Sequence, residues 1–154
     1  MTIDGVIDAA GIYAGTFAVG AISSVVPIVS IEVFLVGVVL ARGPAGALAL
    51  IALAALGQVL GKLPIYATAR GAAALPGRQR AWIERIRAWV ARRGHHPTVV
   101  LAASAVLGIP PFSLISTAAG ALAISPRTFC TVIAAGRALR FAILIALTAA
   151  YMQC

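Results

Sequence analysis

Residues 9 to 41 form an apolar run that carries a single charge, Glu32, and is interrupted by a proline, Pro27. As one helix, rising about 1.5 Å per residue, the run would overshoot a hydrocarbon core of roughly 30 Å. Proline stops it first, because its ring meets the preceding turn and it has no N–H to give. The remaining piece, Ile28 to Ala41, has fourteen residues, short of the roughly 20 that a crossing helix needs. A re-entrant helical hairpin, entering and leaving on one side of a membrane, satisfies both limits.

Residues 98 to 124 repeat the pattern, with Pro110-Pro111 splitting an apolar run into two pieces too short to cross. Lipid cannot satisfy backbone N–H and C=O groups freed by such breaks, so Pro27, Pro110 and Pro111 are expected to face protein or a wet cavity. The runs 45–69 and 128–151 are long enough to cross, yet Lys62 interrupts the first and Arg137 and Arg140 the second. Gly57 with Gly61, and Gly11 with Gly15, are small-residue pairs at a spacing that permits close helix packing.

Composition agrees with a membrane as solvent: 62% of the 154 residues are hydrophobic and 10% charged, with a mean hydropathy of +1.04. The net charge of +8 does not point to nucleic acid, because seven of the twelve basic residues fall between Arg70 and Arg93 and no recognition motif accompanies them. A basic loop between apolar halves is expected to be cytoplasmic and to attract anionic headgroups. Within it, residues 76–96 place Trp82, Ile83, Ile86, Trp89 and Val90 on one helical face and Arg80, Glu84, Arg85, Arg87 and Arg92 mostly on the other. That is an amphipathic helix lying at headgroup level. The start, Met1-Thr2-Ile3-Asp4, lacks the basic opening of a signal peptide, and Cys130 and Cys154 carry no paired spacing.

The order is hairpin, span, basic loop, hairpin, span. Laying Gly61-Lys62 through Tyr66 over Gly136-Arg137 through Phe141 matches a glycine, a base and an aromatic. With the loop inside, the first hairpin enters from outside, flanked by Asp8 and Arg42, and the second from inside, so the halves are inverted. The expected fold is an all-α integral membrane protein in one domain, 1–154. It has two inverted repeats, each a re-entrant hairpin (9–41, 98–124) plus a transmembrane helix (45–69, 128–151), with the interfacial helix between.

Glu32 is the sole acid between Asp8 and Glu84, and a carboxylate at that depth is costly unless protonated, paired or wet. It is therefore either a functional group or a structural partner of Lys62, Arg137 or Arg140, and both roles can coexist. Arg137 and Arg140 share a helical face, and guanidinium binds phosphate through two parallel hydrogen bonds, so a lipid headgroup is the ligand they suit. Arg70 closes the first span as a positive-inside anchor or a substrate contact. His95-His96 has no third ligand nearby for a metal, and Ser113, Ser116 and Thr117 have no spaced base for hydrolysis. Neither an enzyme nor a cofactor is expected.

These residues resemble the DedA family, whose domain is also called VTT, over roughly Phe17 to Leu147. Ser24, Pro27, Glu32 and Leu35 are similar to its proline turn followed by a glutamate. Gly57, Gly61, Tyr66, Arg70 and Gly71 resemble its glycine-rich helix, with Ala69 in place of the usual glycine. Pro110-Pro111, Ala119-Gly120, Phe129 and Gly136-Arg137-x-x-Arg140-Phe141 resemble its second hairpin and closing helix. Two departures stand out. Ser104, Ala105 and Gly108 occupy the stretch where many members carry an arginine, and Glu32 lacks the second membrane acid. The resemblance implies a multi-pass protein of a bacterial plasma membrane that moves a phosphate-bearing lipid, polyprenyl phosphate or a glycerophospholipid, between leaflets, with proton coupling an open element. Glu32, Arg137, Arg140, Arg70, Lys62 and Tyr66 would line the path, and Gly120 and Gly136 would shape the breaks with the prolines. Membrane lipids, and a second copy of the chain, are the expected partners. The rival readings are an ion or small-solute channel and a non-transporting, membrane-shaping interaction protein.

Overall fold

The computed structural model describes residues 3–26, 28–71, 97–108 and 112–153, with Gly77, Arg80, Ala81, Glu84, Arg85, Ala88 and Arg92 between them. Six α-helices are delimited among these residues, and no strand. They are α1 (Ile3–Val25), α2 (Ile31–Arg42), α3 (Ala47–Gly71), α4 (Pro97–Leu107), α5 (Phe112–Ala121) and α6 (Pro126–Tyr151). The seven described residues between 77 and 92 are also helical, and Arg80 pairs with Glu84 at 3.5 Å on an exposed face. Trp82, Trp89 and the His95-His96 pair lie outside the described residues, as do Pro27, Pro110 and Pro111.

Local chemistry sets the helix limits. Ser30 caps α2, its hydroxyl accepting from Val33 N at 3.3 Å. At the other end Gly43, with φ 75°, returns its N–H to Val39 O at 2.8 Å. Proline opens both α4 and α6, where its missing N–H costs nothing. α5 ends in a Schellman arrangement, with Ile124 N bonded to Ala119 O and Ala123 N to Gly120 O. Its left-handed residue is Ala123, φ 56°, rather than glycine. α1 starts at Ile3, earlier than the apolar run, because Ile3, Val6 and Ile7 continue the helical spacing past Asp4 and Asp8.

α3 and α6 are each long enough, at about 37 and 39 Å, to cross a bilayer. Only 39% and 28% of their most apolar stretches is buried, whereas the core helix of a soluble protein is mostly covered. Leu48 is 85% and Leu147 65% exposed, and Leu56, Leu60, Leu139 and Ile143 also face outward. Large aliphatic side chains so placed along two helices are at home in lipid. α3 continues through Pro64, a break in the hydrogen-bond ladder that membrane helices tolerate.

The chain divides into two compact units, Met1–Gly61 with Arg137–Cys154, and Lys62–Gly136. In the first unit α1 and α2 pack on each other, and α2 buries Ile31, Leu35 and Val39 completely on one face. Ile31 and Leu35 join Leu50, Ala54 and Ala55 of α3 and Phe141 of α6 in one core. α1 meets α3 along a small-residue stripe. A Cβ on Gly20 would lie 2.8 Å from Ala54 O, one on Gly57 would strike Phe17 O, and one on Gly61 would strike Ser24. Gly57 and Gly61 thus form the close crossing expected of them, while Gly11 has nothing within 4 Å. Hydroxyls on that stripe are satisfied within α1: Thr16 donates to Ile12 O and Ser24 to Ala21 O, each at 2.7 Å.

In the second unit α4 and α5 pack on each other, and Val100, Leu101, Ala105, Ile115, Ala118, Phe129 and Ile133 are buried. Gly136 touches α4: a Cβ there would lie 2.7 Å from Ala105 Cβ. Ala105 and Ser104 are both fully buried at that contact. The internal composition of the units is alike. Each consists of the end of a long helix, a packed helix pair, and the beginning of the next long helix, and the divisions fall at Gly61 and Gly136, the residues that align in the sequence. Phe141 belongs to the core of the first unit, and Tyr66 stacks on Phe129 in the second.

Candidate functional site

Glu32 lies in the first turn of α2, where the helix dipole favours a negative charge. Ser30 fixes it: the capping hydroxyl that accepts from Val33 N also donates to Glu32 Oε2 at 3.1 Å. The other oxygen, Oε1, faces two guanidinium groups of α6, with Arg140 Nε at 3.2 Å and Arg137 Nη1 at 3.7 Å. Arg137 and Arg140 are three residues apart on one helix, so both reach the same carboxylate. Side-chain exposure is graded, at 9% for Arg137, 27% for Glu32 and 33% for Arg140. The carboxylate thus faces two guanidinium groups, on a side that is open through Arg140. Such a cluster suits an anion with several oxygens, which can share the forks that Glu32 engages.

A different arrangement surrounds Tyr66 and Arg70 in the second unit. Tyr66 is 3% exposed, and its ring stacks on Phe129 with centroids 4.2 Å apart. Its hydroxyl donates to Ile124 O and accepts from Arg70 Nη1, and Arg70 Nη1 also donates to Ile124 O at 2.9 Å. The left-handed Ala123 turns that carbonyl toward them. Gly120 makes the approach possible, since a Cβ there would strike Tyr66 O and lie 2.9 Å from Ala69 Cβ. Tyr66 and Arg70 therefore clamp the turn between α5 and α6. Arg70 is exposed at its helix end while making these bonds.

The remaining expected residues are placed as follows. Lys62 is buried on α3, and Gly136 is buried against α4. Ser116 is fully buried, and no group of three metal-binding side chains occurs among the described residues. Sequence reasoning passed over Ser30, although a serine two residues before a glutamate at a helix start is a legible capping signal. It also passed over the Ile124 carbonyl, which no residue type announces, and Gln58, buried on α3 and donating to Ser23 Oγ at 3.1 Å.

No curated protein and no solved structure matches the chain. The VTT domain family matches residues 26–150, which takes in both long helices, Glu32, the Tyr66–Arg70 clamp and the arginine pair. With its membrane-suited helices and that match over most of its length, this chain belongs to the VTT domain family, the membrane-associated domain of DedA proteins.

Proposed function

We propose that this chain is a membrane transporter that moves a phosphate-bearing lipid, such as polyprenyl phosphate or a glycerophospholipid, between leaflets. The observation that carries the reading is the Glu32 carboxylate held by Arg137 and Arg140 between apolar helices of a VTT-family chain. The protein sits in the plasma membrane as one multi-pass domain, with the Arg-rich loop cytoplasmic and the 76–96 helix at the headgroups. Residues 9–41 and 98–124 re-enter from opposite sides, between the spans 45–69 and 128–151. The like composition of the two units, divided at the aligned Gly61 and Gly136, supports an internal repeat.

In this reading ionised Glu32 competes with the lipid phosphate for the arginines, and protonation releases them, so cargo binding and proton binding are linked. Lys62, Tyr66 and Arg70 act on the lipid as polar groups of their own unit, and no cofactor, bond cleavage or nucleic acid is involved. The test is lipid translocation by purified protein in liposomes from about pH 5 to 8. Glu32→Gln is expected to bind phosphate lipid at least as tightly as the parent but to cycle poorly, and Arg140→Lys to lower transport while the protein still folds and inserts. Normal transport by both variants at every pH would refute the mechanism. Solute flux without lipid movement would make the protein a channel, and neither activity a membrane-shaping one.

A further inference from the structure

The first unit holds a second polar feature, at the opposite end of α2 from Glu32. An open cleft of about 210 Å³ lies there, with Ile12, Val38 and Leu50 as apolar walls, Tyr13 and Arg42 as its polar groups and the turn from α2 to α3 at its rim. The turn is shaped for it: Gly43 and Gly46 both have left-handed backbones, φ 75° and 76°, and a Cβ on Gly46 would strike the Tyr13 hydroxyl. Arg42 is exposed, and Leu40 and Leu48 on either side of the turn also face outward. A phenol and a guanidinium beside exposed leucines have the character of a membrane interface. A cleft of this volume, open on one side, has room for a headgroup phosphate and the first part of an acyl chain.

We infer that this cleft is a loading station for an anionic phospholipid, its phosphate on Arg42 and the Tyr13 hydroxyl and its acyl chain against Ile12, Val38 and Leu50. From Glu32 to Arg42, α2 rises about 15 Å, half of a hydrocarbon core of roughly 30 Å. A headgroup taken up at Arg42 then reaches Arg137 and Arg140 by moving along α2. That passage rests on the proposed phosphate role of the arginine pair, whereas binding at the cleft stands apart from it.

The test uses the full chain in phosphatidylcholine nanodiscs, labelled with a phosphatidic acid probe bearing a photoreactive group near the phosphate. Labelled peptides are mapped to the turn between α2 and α3 and to α6. Arg42→Gln is expected to lower labelling of the turn about tenfold, the scale of one hydrogen bond to a charged group. Arg42→Lys should restore most of it. Labelling of the turn without labelling of α6 would uphold the cleft and remove the phosphate role of Arg137 and Arg140. Three results overturn the cleft proposal: unchanged labelling in Arg42→Gln, equal labelling by an uncharged diacylglycerol probe, and loss of labelling to excess inorganic phosphate, which marks a site for soluble anions.

Discussion

Replacing Glu32 by glutamine keeps the shape of the side chain and the acceptor for Ser30, and removes the negative charge that faces Arg137 and Arg140. At 3.2 and 3.7 Å, with an effective dielectric near 20, each contact has a gross Coulomb attraction of roughly 4–5 kcal/mol. Desolvation opposes that attraction, and solvent reaching Arg140 and Glu32 screens it, which leaves a net of about 1–3 kcal/mol. For a chain of this length that corresponds to a fall in melting temperature of roughly 2–12 °C, measured in detergent for the parent and Glu32→Gln. The decisive quantity is the coupling in a double-mutant cycle with Arg140→Gln. If the ion pair exists, the double variant should be about 1 kcal/mol or more better than the sum of the singles predicts. Additive losses would show that Glu32 and Arg140 do not interact, and the charge-competition mechanism would fail with them.

Three further outcomes follow from the packing. Ala123→Gly removes a side chain from a left-handed backbone at φ 56° and is expected to stabilise by about 1 kcal/mol, read as a higher melting temperature. Tyr66→Phe keeps the stack on Phe129 but loses the donor to Ile124 O. It should cost about 1 kcal/mol and speed proteolysis at the turn between α5 and α6. Gly57→Leu places a side chain where Phe17 O and Ala21 N already lie. Overpacking of several kcal/mol is expected, visible as loss of monodisperse protein on size exclusion, with Leu56→Ala on the exposed face as the tolerated control.

Much of the fold was legible because helix length and helix breaking are local properties. Fourteen residues after Pro27 cannot cross a membrane whatever surrounds them, and Ser30 and Gly43 bound α2 by chemistry that acts within one turn. The small pair Gly57 and Gly61 likewise announces a close crossing by its spacing alone. Gly11 and Gly15 have the same spacing and no such contact, since spacing states what a helix face permits and a neighbouring helix decides whether it is used.

From the amino-acid order alone come the class of protein, the two long apolar helices, the bases that interrupt them, and the isolation of Glu32 from any other acid. Which base meets Glu32 was open among Lys62, Arg137 and Arg140, because no periodicity relates residues on helices so far apart in the chain. The tertiary structure selected Arg137 and Arg140, by packing Phe141 of α6 into the same core as Ile31 and Leu35 of α2. It also turned Arg70 and Tyr66 onto a backbone carbonyl, an acceptor every residue carries, which only the left-handed turn at Ala123 presents. Periodicity acts over one or two turns of a helix, whereas a charge shared between helices exists only once their apolar faces have packed.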